Sequence, residues 1–278
     1  MIPLRDSVRS STTPYVTWLI LAANVVVFLY QLLVESRLEQ VAAREVLEAS
    51  RQLGLSFVPA DAVALRAQEL YAAWLHQWGL VPIELRRTGG FGEYVTLLTS
   101  MFLHANWLHL LGNLWFLWIF GDNVEDRLGH LPYFFFYGAA GLAAAGTQFL
   151  IDPGSEVPMI GASGAIAGVL GAYLVLFPRA RVLTLVPIFY FLELLEVPAV
   201  VFLLIWFVFQ NLAPAAFTPA AEGGVAYWAH IGGFVVGAVF CGMLRRRLRA
   251  RPVERRVYPV AWGSFDADGR WRGRRIGG

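Results

Sequence analysis

Residues 161–177 read Gly161-Ala162-Ser163-Gly164-Ala165-Ile166-Ala167-Gly168-Val169-Leu170-Gly171-Ala172-Tyr173-Leu174-Val175-Leu176-Phe177. The run carries no charge and is barely long enough to cross a bilayer as a helix. A serine among glycines at its start means little in water. At bilayer depth every polar group is costly and calls for an explanation. With a histidine at the same depth, the Ser163 hydroxyl becomes a candidate nucleophile. From Ser163 to Phe177 the helix would measure about 22 Å against a hydrocarbon core of about 30 Å. It would begin below one surface, leaving the 152–159 loop to dip inward over a cavity that water can fill.

Composition supports a membrane solvent. The chain has 278 residues, 57% hydrophobic and 15% charged, with ten tryptophans. Six apolar runs read as spans: 15–34, 102–120, 132–151, 161–177, 196–212 and 226–244. The expected fold class is therefore an all-α membrane protein, a six-helix bundle with a long helical external loop between its first two spans. The first run, Tyr15 to Val34, lacks a small-residue cleavage site, so no cleavable signal peptide is expected. Cys241 is the only cysteine, which excludes intrachain disulfides.

Direction follows from arginine asymmetry. Arg245, Arg246, Arg247, Arg249, Arg251, Arg255 and Arg256 follow the last run, and Arg179 and Arg181 follow the fourth. Arg5 and Arg9 precede the first. An even number of spans places all three clusters, and both termini, on the cytoplasmic side. All 22 basic residues are arginines, which points to a GC-rich prokaryotic source and so to a plasma membrane.

The chain then divides into a cytoplasmic N-terminus (1–14), the first span (15–34), an external loop (35–95), a core of spans two to six (96–245) and a basic tail (246–278). In the loop, Leu38 to Leu53 and Ala60 to Trp78 read as amphipathic helices. Trp74, Trp78, Leu80 and Val81 are expected in the headgroup layer. Glu125, Asp126 and Arg127, in a short connection from Gly121 to His130, are expected to pair with one another. Glu193 and Glu196 read as interfacial. The tail reads as disordered, its arginines touching anionic lipids; topology explains the cluster without nucleic acid.

Four polar residues fall at membrane depth. Counting about 1.5 Å per residue from the cytoplasmic markers, Ser163 lies roughly 24 Å above Arg179 and His230 roughly 22 Å above Arg245. His109 lies about 20 Å and Asn113 about 14 Å above Asp122. Gly164-x-x-x-Gly168 and Gly233-x-x-x-Gly237 let two helix backbones approach closely, as a short serine needs in order to reach a histidine. His109 and Asn113, at i and i+4, share one face. Each residue alone has a plainer reading: packing for the glycines and serine, a proton relay for a histidine, an interhelical hydrogen bond for Asn113. Together they supply a nucleophile, a base and oxyanion donors.

Three motifs in this order resemble the rhomboid family of intramembrane serine proteases. They are His104-x-x-x-x-His109-x-x-x-Asn113, Gly161-Ala162-Ser163-Gly164 and Ala229-His230-x-x-Gly233, with the 121–129 segment also similar. The resemblance spans roughly residues 80–245. It implies a Ser163–His230 dyad without a carboxylate partner, an oxyanion held by Asn113, His109 and the Ser163 amide, and His104 bracing the first loop. Gly161, Gly164, Gly233 and Gly237 support the site. The implied substrates are transmembrane proteins that unwind locally and approach past the fifth span, which carries Trp206, Phe207 and Phe209. One departure is Ala167, where some members carry a tyrosine that packs on the catalytic histidine. No cofactor or metal is implied; without His-Glu-x-x-His or an intramembrane aspartate pair, zinc and aspartyl chemistry lack their groups. The alternatives are a catalytically silent relative that binds or escorts membrane clients, and a proton-coupled transporter.

Overall fold

The computed structural model describes residues 1–54, 57–188, 191–217, 225–248, 254–255, 262–265 and 271–274. The first helix, α1 (Tyr15–Gln52), follows Pro14 and runs for 38 residues without a break. The expected separation after residue 34 does not occur. Residues 35–52 are mostly Glu, Arg, Leu, Ala and Gln, with no glycine or proline, so nothing stops a helix already under way. Helix α2 (Ala60–Trp78) folds back on it. Arg66 binds Glu45 (2.7 Å), the Tyr71 hydroxyl accepts from Gln31 (3.2 Å) and Trp74 meets Tyr30 (centroids 6.4 Å), an order of partners that makes the pair antiparallel.

Helices α3 (Pro82–Arg87) and α4 (Phe91–Thr99) lead through a 3-10 turn to α5 (Trp107–Leu128). The Asn106 side chain caps α5 by accepting from the His109 amide at 2.9 Å. The connection expected from Gly121 to His130 shrinks to one residue: Gly129, at φ +86°, takes the left-handed turn and α6 (His130–Ile151) starts at once. Next come α7 (Ser163–Leu176), α8 (Ala199–Phe207), a π-helical turn (Val208–Leu212), α9 (Ala213–Phe217) and α10 (Tyr227–Leu248). Pro214 accounts for the wide turn, since it has no N–H to return to the Gln210 carbonyl.

The all-α expectation is corrected by a sheet. Strands β3 (Arg181–Ile188) and β4 (Phe191–Pro198) form a hairpin, and β1 (Ile2–Asp6) adds to β3 in the order β1-β3-β4, all antiparallel. The aliphatic run Val182-Leu183-Thr184-Leu185-Val186 suits a strand and is too short for a span. Glu193 and Glu196 therefore lie on β4, with Glu196 3.9 Å from Arg181. In the tail, short strands β5 (Glu254–Arg255), pairing with β2 (Val8–Arg9), and β6 (Trp262–Phe265), pairing with β7 (Trp271–Arg274), replace uniform disorder. The rest of the expected disordered tail, including Arg249, Arg251 and Arg256, lies outside the described residues.

Among the described residues, four helical segments are long and apolar enough to cross a membrane: Tyr15–Gln52, His130–Ile151, Ala199–Phe217 and Tyr227–Arg245. Two of the six expected spans fall outside that set. The last turns of α5 hold Asp122, Glu125, Asp126 and Arg127, and α7 has only 14 residues, about 21 Å. Helix α7 is nonetheless the centre of the molecule. Residues 165–173 are buried without exception, and α5, α6, α8 and α10 all pack on it. Its small residues on every side admit four neighbours. Outward, Leu19, Val26, Leu33, Phe135, Phe217 and Val239 are exposed, an apolar surface far larger than water tolerates.

Glu125, Asp126 and Arg127, expected to pair with one another, also reach partners elsewhere in the chain. Glu125 is fully buried and caps α1: its oxygens accept from the Val16 amide (2.9 Å), the Thr17 amide and hydroxyl (2.7 Å each), and contact His130 Nδ1 (2.6 Å). The first amides of a helix lack internal partners and favour negative charge. Asp126 accepts from Ser11 and Thr12, and Arg127 donates to the Leu248 carbonyl.

Candidate active site

The backbones of α7 and α10 touch, and this contact sets the site. A Cβ on Gly233 would strike the Gly164 carbonyl, and one on Gly237 the Gly168 carbonyl. On the other flank a Cβ on Gly164 would come within 2.7 Å of Ala144 on α6. Ser163 is the first residue of α7, and His230 lies one turn into α10. With the backbones this close, Ser163 Oγ and His230 Nε2 are 2.6 Å apart. On the far side of the ring, His230 Nδ1 is 2.7 Å from Asn211 Oδ1, and Asn211 Nδ2 donates to the Trp206 carbonyl at 3.2 Å. Asn211 is buried within the π-helical turn. Ala167, also buried, puts no ring on His230; the nearest indole is Trp206, tilted 35° with centroids 6.4 Å apart.

Gly161 opens the other wall. Its φ of +123° is one that a side chain strains, and its amide donates to the Ser100 carbonyl at 2.8 Å. Where a Cβ would stand, His109 Nε2 lies 2.7 Å away and Ser163 Oγ 3.5 Å away, so the missing side chain is the space between those two groups. Asn113, one turn on from His109, is buried, and its Nδ2 finds no hydrogen-bond partner among the described residues. Ser163, His230, His109, Asn113, Gly161 and Trp206 line one cavity of about 780 Å³.

The structure therefore gathers Ser163, His230, His109, Asn113 and Gly161 at one place, with Gly164, Gly233 and Gly237 behind them. His104 precedes α5, and its ring meets His109 edge-on, with centroids 5.1 Å apart. His104 is fully buried, and the Gln31 amide of α1 holds both its backbone N–H (2.9 Å) and C=O (3.1 Å). Leu80 and Val81, expected among lipid headgroups, are buried in protein (0% and 2% exposed). Leu80 exchanges two backbone hydrogen bonds with Met159, and the Ile83 amide donates to the Ser155 carbonyl, so the first loop ties down the 152–162 segment beside the cavity.

Asn211 was not anticipated. The signal was present, an amide inside an otherwise apolar run, and the rule that such a group needs a partner would have found it. Gln31 was readable on the same ground.

Residues 92–247 match the rhomboid domain. That is more than half of the chain, which belongs to the rhomboid family. It is 32% identical over 166 residues to Rhomboid-like protein 11, chloroplastic, of Arabidopsis thaliana, covering 56% of this chain and 54% of that protein. Rhomboid protein 1, mitochondrial, of Saccharomyces cerevisiae is 33% identical over 162 residues, 53% of this chain and 42% of that protein. Rhomboid protease GluP of Bacillus subtilis is 41% identical over 83 residues, 30% of this chain and 16% of that protein. The chain thus spans about half the length, or less, of these relatives. With its apolar helices, family membership makes the chain an integral membrane protein. Relatives named for chloroplasts and mitochondria mean that the similarity does not select a prokaryotic plasma membrane.

Proposed function

We propose that this protein is an intramembrane serine endopeptidase that hydrolyses peptide bonds in or near the transmembrane helices of membrane-protein substrates. The observation that carries the reading is the 2.6 Å approach of Ser163 Oγ to His230 Nε2 in a cavity that also holds the orphan Asn113 donor. Neutral His230 takes the proton from Ser163 as Oγ attacks the scissile carbonyl carbon, and the carbonyl π electrons move to oxygen. Asn113 Nδ2, His109 Nε2–H and the Ser163 amide, at the start of α7, stabilise that oxyanion. The Ala105 amide approaches His109 Nδ1 (3.5 Å), which leaves the proton on the nitrogen facing the cavity. His230 then gives its proton to the leaving amine and activates water against the acyl-enzyme.

In this reading α5 and α7 complete a six-helix core, residues 35–95 lie outside and both termini are cytoplasmic, an orientation that the arginine distribution supports. The membrane is a prokaryotic plasma membrane, a source to which the all-arginine basic composition points. Substrate helices reach the cavity beside α8 and α9, from the lipid phase.

The test uses purified protein in liposomes with a fluorescent single-span substrate. Cleavage within its membrane segment is expected for the native chain and is lost in Ser163→Ala and His230→Ala. Asn113→Ala should lower kcat by about 10- to 1000-fold. Folded native protein that cleaves no substrate and whose Ser163 resists a fluorophosphonate probe would instead indicate a client-binding relative.

A further inference from the structure

We propose that Asn211 is a positioning residue of the reaction, fixing the tautomer and orientation of His230 from the π-helical turn between α8 and α9. The inference rests on the proteolytic reading above and extends it from a dyad to a relay of three side chains.

The amide orientation is determined by its partners. Asn211 Nδ2 is 3.2 Å from the Trp206 carbonyl oxygen, which can only accept, so the nitrogen must be there and the oxygen must face His230. Oδ1 in turn only accepts, so His230 Nδ1, 2.7 Å away, carries the proton. In a neutral imidazole that leaves Nε2 bare, and Nε2 is the nitrogen 2.6 Å from Ser163 Oγ. The opposite tautomer would put an N–H against the hydroxyl proton and could not accept it. When Ser163 attacks, the Oγ–H bond breaks, Nε2–H forms, and Nδ1–H stays hydrogen-bonded to the amide oxygen. The positive charge on the ring meets the negative end of the amide dipole throughout.

The backbone is shaped for this contact. A π turn holds one more residue than an α turn, which rotates the residues beyond it by about 100°. Asn211 lies within this turn, and its side chain reaches five residues back to the Trp206 carbonyl. The same short stretch holds the imidazole twice, because Trp206 supplies both the carbonyl anchoring Asn211 and the indole tilted towards His230. Apart from Ser163 and Asn211, the described residues offer no hydrogen bond to this ring.

Asn211→Leu keeps the volume and removes the acceptor, whereas Asn211→Asp keeps an acceptor. In liposomes the leucine variant is expected to lose about 10- to 100-fold in kcat, the range seen for groups that orient metal-bound histidines, with KM little changed. The aspartate variant is expected within a few-fold of native. The tautomer is read directly. The chain has five histidines, so 15N-histidine labelling gives five ring signatures, and His230→Ala identifies the one at issue. Native His230 should show Nδ1 protonated, and the leucine variant should lose that preference. Should leucine fail to fold, as judged by Tm, Asn211→Ala is read in the same way. A folded variant with native kcat, or an unchanged His230 nitrogen spectrum, overturns the proposal. If native protein cleaves nothing, the proteolytic reading fails separately, while the nitrogen spectrum still decides whether Asn211 sets the tautomer.

Discussion

Gly237→Ala tests whether backbone contact between α7 and α10 is what holds the Ser163–His230 pair. The added Cβ would lie 2.6 Å from the carbonyl carbon and 2.8 Å from the Cα of Gly168, and closer still to its carbonyl oxygen. Ordinary non-bonded contacts lie at about 3.5–4.0 Å, so the helices must part by roughly 1 Å at this level. Both partners are backbone and cannot rotate away. If α10 translates, the 2.6 Å hydrogen bond between Ser163 and His230 opens towards 3.6 Å, beyond hydrogen-bonding range. If it pivots on the contact between Gly164 and Gly233, His230 tilts instead, since it lies about 10 Å along the helix from the new methyl.

Either movement should lower kcat by on the order of 100-fold, the typical consequence of a 1 Å misplacement. Overpacking should cost about 1–3 kcal/mol of stability. The assay pairs liposome cleavage with thermal unfolding in detergent. Gly242→Ala is the control: it lies on the same helix, and a Cβ there meets nothing within 4 Å. Its activity and Tm should match the native protein. A Gly237→Ala protein with native turnover and Tm would refute the argument, because it would show that α7 and α10 can separate without disturbing the pair.

Two further substitutions probe other parts of the same scaffold. Gly161→Ala combines a φ of +123° with a Cβ 2.7 Å from His109 Nε2, so it should cost about 1–3 kcal/mol in backbone strain and fill the space between His109 and Ser163. Cleavage should fall sharply even at temperatures where the variant stays folded; a folded Gly161→Ala with native kcat would remove that space from the reaction. Glu125→Ala leaves the Val16 and Thr17 amides and the Thr17 hydroxyl without their acceptor. At roughly 1–3 kcal/mol per orphaned group, the loss should reach about 3 kcal/mol or more. An unchanged Tm would show that water replaces the carboxylate.

Ser163, His230, His109 and Asn113 were legible because bilayer depth makes polar groups rare, and helix rise alone put them in one layer. Gly164, Gly233 and Gly237 were legible because small residues at four-residue spacing mean close backbones. Other features depended on partners that no local pattern names. Glu125 sits in a run of charges that reads as a solvated surface, and only the arrival of the α1 amides 108 and 109 residues away explains its burial. The 181–198 hairpin hid between two spans because its aliphatic residues alternate no more clearly than those of a helix end. The continuation of α1 past residue 34 was lost by assuming that a change from apolar to polar composition ends a helix, which requires a breaker that this stretch lacks. Asn211 was legible as a lone amide in an apolar run, but its partner was not, because the π turn that seats it has no sequence spacing of its own.

His230 is held from its two sides by different means, and the difference has consequences. Towards α7 the hold is backbone against backbone, with no side chain to rearrange. Towards α8 and α9 it is a single amide. That segment is also the least embedded of the four apolar spans: in its apolar 18-residue stretch 17% of the residues are buried, against 28–33% in the others. Val201, Leu204, Phe209 and Leu212 point away from the protein. Segments with few buried contacts open at low free energy. Loosening α8 and α9 would therefore break the contact between Asn211 and His230 first, while α7 and α10 keep Ser163 at hydrogen-bond range. The alignment of His230 depends on the segment most exposed to lipid, and Ser163 depends on the part of the fold least able to move.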